Sequence, residues 1–264
     1  DVTTTMGKKQ AQLVTETFRA LYDDEWSQDG IALRLLINDH LLYFSHGLHN
    51  NGAFLPWHRG YLLELETLLM KNNAGITGVP YWNFANTTDS LETFFSVSVE
   101  NHYGGDGDPV HRCVQEGPFG SRTEFALLNG RCLQRRFGGG GLTMNVSTLR
   151  GVQDYDAFRN RLEHGPGMHD SVHCLVGGTM CSARAANDPI FFLVHAGIDK
   201  LWADWQADNK YNDTKYTPQK TVEEVMVASV FTPRDMWQNN RLLIPGPPDT
   251  CVQVRYGGEK TPGD

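Results

Sequence analysis

Residues 49–66, with the sequence HNNGAFLPWHRGYLLELE, place two histidines nine positions apart around a Phe-Leu-Pro-Trp run. Apolar residues then recur at helical spacing, which predicts a helix over residues 58–71. The residues on its apolar face are Tyr61, Leu62, Leu65, Leu68 and Leu69. We therefore expect His49 on a loop, residues 54–57 as a turn anchored in the core, and His58 at the start of the helix.

Helical patterns recur in the remainder of the chain. Apolar positions at helical spacing predict helices over residues 7–24 and from about Ile31 through Phe44. Residues 84–150 are rich in Gly, Asn, Asp and Pro, which predicts a long irregular connection. The sequence therefore predicts a mainly α fold with long irregular loops.

A further helix is predicted in the last third of the chain, in the segment NDPIFFLVHAGIDKLWADWQ. Asn187 or Asp188 is placed to cap this helix. Pro189 lies just inside, where its fixed φ and missing N–H cost least. We expect the helix to run to about Asp208.

Seven of the ten histidines fall in three compact places. They are His40, His46, His49 and His58; His169 and His173; and His195. The second pair is four residues apart, so on a helix both imidazoles share one face and can reach a single metal ion. A lone histidine is usually a solvated or hydrogen-bonded side chain. Clusters of imidazole without a cysteine or carboxylate at ligand spacing indicate copper, zinc or iron rather than calcium or magnesium.

Length and charge restrict the class of protein. At 264 residues the chain is long enough to bury one substantial core, and we expect a single domain over residues 1–264. It contains no apolar run of the length that spans a bilayer, so a membrane is not an expected partner. The formal charge of -8 is spread along the chain without a basic cluster, so nucleic acid is not an expected partner either.

Cysteines and Asn-x-Ser/Thr triplets bear on the compartment. The five cysteines have spacings that fit neither a zinc motif nor a thioredoxin motif, and we expect disulfide bonds with one thiol left free or paired outside the chain. The triplets begin at Asn86, Asn145 and Asn212, beside turn-forming residues where a glycan is tolerated. Together these features predict a secreted glycoprotein.

Two segments resemble a known family. HNNGAFLPWHRGYLLELE is similar to the first copper-binding motif of the tyrosinase family of type-3 copper proteins, and MHDSVH followed by NDPIFFLVHAGIDKLWADWQ is similar to the second. The resemblance covers roughly residues 35–82 and 155–206, and it is closer to the compact bacterial and some animal tyrosinases than to the plant enzymes. It implies a four-helix bundle core that holds a binuclear copper site.

The resemblance also implies the ligands of two copper ions. The matching residues are His40, His49 and His58 for the first copper and His169, His173 and His195 for the second. For the upstream ligand of the first copper we choose His40, and His46 is the alternative. Gly47 stands where many fungal, plant and molluscan relatives carry a cysteine bonded to a ligand histidine, so no such thioether is expected.

Two carboxylates match positions that the family uses in proton transfer. Glu163 matches the carboxylate that orders a water able to take the phenol proton. Asp170 stands where an Asn is commoner, and we expect it either to act as a base or to accept from the neighbouring ligand's ring N–H and raise its basicity. Asp199, one turn beyond His195, is a candidate for holding that ring, with an ion pair to Arg59 as the alternative.

The activity implied by the resemblance is the oxidation of phenols and o-diphenols to o-quinones. A phenolic small molecule and O2 are therefore the expected partners. One alternative is a catechol or o-aminophenol oxidase that does not hydroxylate monophenols, and another is an oxygen carrier of the haemocyanin type. A compact chain without an attached sandwich domain favours the enzyme.

Overall fold

Helices make up most of the regular structure in the computed structural model. It describes residues 1–2, 4–83, 91, 95, 103–120, 132–138, 146–209, 216, 221–237, 242–243 and 251–252. The helices are α1 (Thr5–Asp23), α2 (Gln28–Tyr43), α3 (Phe54–Asn72), α4 (Tyr155–His164), α5 (His169–Val176), α6 (Ile190–Asp208) and α7 (Pro233–Trp237). Two short strands, β1 (Leu242–Leu243) and β2 (Cys251–Val252), pair antiparallel. The fold is therefore mainly α, as the sequence predicts.

Four helices form the core of the structure. Helix α3 packs against α2 and α6, and α5 packs against α6, while α1 and α7 cover the outer faces of α3. A continuous cluster of buried apolar side chains lies between them, with Trp57, Leu65, Phe191 and Trp202 among its members. The first half of α6 is buried on all sides, because the other helices surround it. This is the four-helix bundle that the family resemblance implies.

Side-chain caps explain where several helices begin. Ser27 Oγ accepts a hydrogen bond of 2.9 Å from the N–H of Gly30 at the start of α2. Asp154 Oδ1 accepts one of 2.8 Å from Ala157 at the start of α4. Each cap satisfies an N–H that has no partner within the helix. Helix α6 begins at Ile190, one residue later than predicted, and Asp188 Oδ1 accepts from the N–H of Ile190.

Helix α3 begins four residues earlier than the sequence pattern predicts. Residues 54–57 form its first turn rather than a separate turn, so His58 lies inside the helix and not at its start. Pro56 is compatible with this position, because an N–H in the first turn would have no helical partner. All four side chains are buried, and the Trp57 indole donates to the Val227 carbonyl at 2.7 Å.

A π-helical segment, Phe44–Leu48, follows α2 and was not predicted. Its backbone departs from helical geometry at His46 and at Gly47, which has a φ of 115°. A side chain with a Cβ rarely adopts this conformation, so glycine at 47 allows the chain to turn towards His49.

The predicted irregular connection over residues 84–150 is only partly within the described residues. The described part contains turns, the isolated bridges Gly107–Val114 and Cys113–Gln134, and one 3-10 turn at its end. Arg135 fixes it to the start of α6 through a fully buried ion pair with Asp188 at 2.7 Å. The three asparagines of the glycosylation triplets, Asn86, Asn145 and Asn212, lie outside the described residues.

Two disulfides confirm that the cysteines pair, although the sequence did not predict which cysteines are joined. They join Cys113 to Cys132 and Cys174 to Cys181. Across the described part of the chain, no helix has the length and apolar character needed to cross a membrane.

Candidate metal centre

Six histidines converge inside the helical core as two groups of three. The groups are His40, His49 and His58, and His169, His173 and His195. Within each group, one ring nitrogen from every histidine lies within 4.8 Å of the other two. The first triad comes from α2, the residue after the π-helical segment, and α3, and the second comes from α5 and α6.

His40, and not His46, lies in the first triad. His40 is 1% exposed and shares the buried face of α2 with Leu36 and Ile37. His46 is exposed within the π-helical segment. The expected choice of the upstream residue therefore agrees with the geometry.

The two triads are adjacent, with their aromatic rings in contact. The rings of His58 and His195 stack with centroids 4.3 Å apart and an interplanar angle of 5°. Phe191 packs against His195 at 4.0 Å and against His40 at 4.8 Å, so one apolar ring contacts both triads. Phe54 contacts His58 and His169 at 4.9 Å each.

The Nδ1 atoms of five of the six histidines face an acceptor. Backbone carbonyls face four of these atoms: Ala183 for His40 (3.2 Å), Phe44 for His49 (3.4 Å), Phe54 for His58 (2.8 Å) and Met180 for His173 (2.8 Å). The fifth, His169 Nδ1, donates to Asp170 Oδ1 at 2.9 Å. An Nδ1–H held in this way fixes the tautomer and leaves Nε2 with a free lone pair.

The opposite ring nitrogens carry the signature of a metal site. Nε2 of His40, His58 and His169 is buried without a hydrogen-bond partner. The Nε2 atoms of His173 and His195 face each other at 3.2 Å. Buried polar atoms without partners are costly, and a cation held by each triad would satisfy these nitrogens. Three neutral imidazoles at each position suit copper.

Burial keeps these histidines neutral. It is the largest cause lowering the pKa of His49 to about 4 and that of His169 to about 3. Burial also lowers the pKa of the other four members of the triads, with the neighbouring imidazoles adding to the effect for His40, His58 and His195. Neutral imidazole is the form that binds metal, so the fold prepares the triads before any ion arrives.

The Glu163 carboxylate is fully buried beside the second triad. Its Oε1 accepts from the N–H of Asn50 at 2.7 Å, and its Oε2 is paired with the Arg159 guanidinium at 2.7 Å. Burial raises the pKa of Glu163, against the opposing influence of Asn50 and Arg159. Asn50 follows His49, so this carboxylate also holds the backbone next to the first triad.

Asp170 accepts from two imidazoles at once. Its Oδ1 binds Nδ1 of His169, and its Oδ2 binds Nδ1 of His164 at 2.7 Å. Partial burial opposes ionisation, but these two hydrogen bonds lower the pKa of Asp170 to about 2. Of the two expected roles, the geometry matches the acceptor that orients His169.

His164 is a member of the site that the sequence reasoning missed. It is the last residue of α4 and follows Glu163, and the motif comparison drew attention only to the carboxylate. The sequence did contain a signal that could have identified His164. This histidine follows a carboxylate that matches the family's proton acceptor, at the end of a helix and six residues before Asp170.

Asp199 does not hold the ring of His195. Asp199 instead pairs with Arg59 at 2.7 Å, and this guanidinium also donates to Gln206 Oε1 and lies 3.8 Å from the centre of the Trp202 ring. The Nδ1 atom of His195 is buried without a hydrogen-bond partner. The ion pair, which was the alternative, is therefore what the structure contains.

A cavity of about 560 Å³ opens over the two triads. Its wall includes His40, Phe44, His49, Asn50, Glu163, His164, His169, Asp170, His173, Met180 and the Cys174–Cys181 disulfide. The volume falls within the usual range for small-molecule pockets. Imidazoles of both triads and the residues Glu163 and Asp170 thus surround the space that a ligand would occupy.

Several known proteins are similar to this chain in sequence. The family model described as the common central domain of tyrosinase matches residues 18–208. The tyrosinase of Streptomyces lincolnensis is 34% identical over 198 residues, which cover 67% of this chain and 70% of the relative. Grixazone synthase of Streptomyces griseus is 33% identical over 240 residues, covering 72% of this chain and 75% of the relative.

Solved structures with low sequence identity share the architecture. A polyphenol oxidase from Thermothelomyces thermophila aligns with a TM-score of 0.61 and 20% identity, over 95% of this chain and 78% of that one. A functional unit of octopus haemocyanin aligns with a TM-score of 0.55 and 18% identity, over 77% of this chain and 51% of that one. At these identities the likeness concerns the fold alone.

Proposed function

Since this chain belongs to the tyrosinase family of copper enzymes, we propose that it binds two copper ions and uses O2 to oxidise phenols and o-diphenols to o-quinones. The observation that carries the proposal is the pair of adjacent imidazole triads, whose Nε2 atoms are buried without partners or face one another. The first triad would hold one ion and the second triad the other. Copper, when bound, supplies the redox chemistry that activates O2.

The side chains around the cavity bind and orient the phenol. The cavity is wide enough for a single aromatic ring, and Phe44 gives its wall an apolar surface. Glu163 is the base we assign to the phenolic proton, because its carboxylate lies on the wall and its burial raises its pKa towards the working range of a general base. Asp170 orients the His169 ring.

An oxygen carrier is the second candidate, because haemocyanin shares the fold. A carrier needs O2 to reach the metals while larger molecules stay out. The open cavity of about 560 Å³ over the triads favours the enzyme, because it admits a phenol.

The experiment is to load the protein fully with copper, count the ions per chain, and compare tyrosine, an o-diphenol and an o-aminophenol as substrates. We expect two coppers per chain, with O2 consumption and quinone formation from tyrosine and from the o-diphenol. Replacing His58 or His173 by Ala should remove one copper each, whereas the exposed His46→Ala should retain both.

Three results would contradict parts of the proposal. One copper per chain at full loading would overturn the binuclear site. Reversible O2 binding without product would favour the carrier. Turnover of the o-diphenol or o-aminophenol without turnover of tyrosine would restrict the enzyme to the alternatives without hydroxylation.

We further propose that the protein is secreted and glycosylated. Two disulfides support an oxidising compartment. Digestion of the natively produced protein with an N-glycosidase should lower its mass if Asn86, Asn145 or Asn212 carries a glycan, and an unchanged mass would contradict glycosylation.

A further inference from the structure

His164 lies between two carboxylates at the wall of the cavity. Its Nδ1 is 2.7 Å from Asp170 Oδ2, and its Nε2 is 3.5 Å from Glu163 Oε2. Glu163 is held by the backbone of Asn50, and Asp170 is held by His169. His164 therefore completes a polar path between residues next to the two triads.

The partners of His164 determine which of its ring nitrogens faces Glu163. Asp170 is an ionised acceptor, so the nitrogen facing it, Nδ1, carries a hydrogen. In a neutral ring the other nitrogen, Nε2, is then a lone pair aimed at a carboxylate oxygen of Glu163. A proton that Glu163 accepts therefore has an acceptor nitrogen 3.5 Å away.

Exposure to solvent differs sharply between the two members of this pair. The Glu163 side chain is 0% exposed, so it has no direct route for giving a proton to bulk water. The His164 side chain is 33% exposed, and its ring lies beside Glu163 on the wall of the cavity. Any proton that Glu163 accepts has a short path outward through this imidazole.

We propose that His164 is a positioning residue that relays protons between the buried Glu163 carboxylate and solvent during the oxidation of monophenols, while Asp170 holds its ring in place. The proposal rests on the assignment of Glu163 as the base in the proposed function. His164 is not among the residues that the family motifs indicate.

The relay conserves atoms and charge at each step. The phenolic O–H bond breaks, and its proton forms an O–H bond on Glu163. That proton passes to Nε2 of His164, which makes the ring an imidazolium and restores the carboxylate. The imidazolium then gives a proton to water at its exposed face and returns to the neutral form.

Charged and titratable groups approach the His164 ring from its own helix, from α5 and from the loop before α3. Glu163 and Arg159 lie on its own helix, Asp170 faces it from α5, and His49 is the titratable group of the loop before α3 that interacts with it. The two carboxylates stabilise the imidazolium, whereas Arg159 and a charged His49 oppose it. Since Arg159 is bound to Glu163, Asp170 remains the partner that keeps the ring oriented through each cycle.

Two substitutions of His164 distinguish a proton relay from a role that only holds Asp170 in place. In His164→Asn, the amide nitrogen stands near the Nδ1 position and can still donate to Asp170. In His164→Gln, the amide reaches the Nε2 position instead, and the bond to Asp170 is lost. Neither amide can accept and release a proton at neutral pH. Asn160→Ala is the matched control, because Asn160 is exposed one turn earlier on the same helix.

We expect both His164 variants to lower monophenol kcat by at least about tenfold, part of the hundredfold to ten-thousandfold that positioned proton transfer contributes. Diphenol turnover and copper content should stay close to those of the unaltered protein. The solvent deuterium isotope effect on monophenol turnover should increase in both variants, because proton transfer becomes slower. Asn160→Ala should change none of these quantities.

Several outcomes would overturn the relay. Normal monophenol turnover in His164→Asn with a loss in His164→Gln would mean that the histidine only supports Asp170. Equal losses on both substrates, or loss of copper, would mean that it supports the metal site. An unchanged isotope effect would also overturn the relay, because a structural defect does not alter the proton-transfer step alone.

Glu163→Gln distinguishes failure of the relay from failure of the proposed function. If this variant loses monophenol turnover and the His164 variants do not, Glu163 remains the assigned base and the relay through His164 is wrong. If Glu163→Gln changes nothing, or the unaltered protein does not turn over monophenols, both the assignment of Glu163 as the base and the relay are wrong. NMR spectra of the metal-free protein give a readout without copper. The histidine resonance that is missing in His164→Asn belongs to His164, and it should shift in Glu163→Gln. An unshifted resonance would contradict the contact.

Discussion

Two carboxylates near one metal centre receive different properties from their surroundings. Glu163 is fully buried and binds one backbone N–H and one guanidinium, so it retains lone pairs while its pKa is raised by burial. Asp170 is half exposed and binds two imidazoles, which lower its pKa to about 2. A base works best when its pKa lies near the pH of the reaction. Glu163 therefore suits proton transfer, and Asp170 suits the orientation of neighbouring rings.

Glu163→Gln should lower monophenol turnover far more than diphenol turnover. A monophenol loses its proton without help from a second hydroxyl, and a positioned base contributes roughly 3–5 kcal/mol to such a barrier. Asp170→Asn should retain or increase monophenol turnover, since an amide oxygen can still accept from His169. The measurement is kcat on both substrates at equal copper content. Loss of monophenol turnover in Asp170→Asn alone would reverse the two roles.

Sequence spacing identified histidines that the fold brings together. The four-residue interval of His169 and His173 on a helix, and the motif around His49 and His58, led to residues that the structure brings together. His164 was beyond its reach, and spacing did not decide between His195 and Arg59 as the partner of Asp199. Both depend on side chains that meet from separate helices, which a local pattern does not contain.

At the scale of elements, helices α1, α2 and α6 lie within a few residues of their predicted bounds, because apolar periodicity and caps act locally. The start of α3 was wrong by one turn, since proline in a first turn cannot be told from proline in a loop by sequence alone. The π-helical segment Phe44–Leu48 was missed for another reason. Its backbone departs from helical geometry only at His46 and Gly47, and the apolar periodicity carries no signal for such a local change.

A disulfide ties together the elements that position His173. Cys174 follows His173 in α5, and Cys181 follows Met180, whose carbonyl accepts from the His173 ring. Between them, Gly177 has a φ of 69°, and a Cβ there would lie 2.4 Å from the Arg136 carbonyl oxygen. The tight turn and the disulfide together keep the acceptor at a fixed distance from the imidazole.

Replacing Cys174 and Cys181 by Ser should lower the free energy of unfolding by about 2 kcal/mol, as expected for a short closed loop. It should also release copper to a chelator up to about tenfold faster, because the acceptor that orients His173 becomes mobile. Chemical denaturation and chelator kinetics measure the two effects. The matched control replaces Cys113 and Cys132, which should lower stability by a similar or larger amount and leave copper release nearly unchanged. Equal acceleration in both variants would mean that the effect is a general loss of stability.

For the whole molecule, burying six imidazoles links stability to pH. In the unfolded chain each of these histidines takes up a proton as the pH falls below about 6.5. In the folded protein burial lowers the pKa of every member, to about 4 for His49 and about 3 for His169. The unfolded state therefore binds more protons between these limits, and the folded state loses stability as the pH falls through this window. Glu64 and Glu66 act in the opposite direction, because burial raises the pKa of each to about 7.

Metal-free protein should accordingly lose stability steeply between about pH 6.5 and pH 4.5, by up to roughly 1 kcal/mol per pH unit for each buried histidine, less the smaller contribution of the raised carboxyls. Urea denaturation at several pH values measures the slope. His58→Gln should reduce the slope, because one buried titrating group is removed, whereas His46→Gln should leave it unchanged, because His46 is exposed. Copper should shift the loss of stability to lower pH, since a bound ion must be displaced before the imidazoles take up protons. A metal-free protein whose stability is flat over this range would contradict the neutral, buried state assigned to the triads.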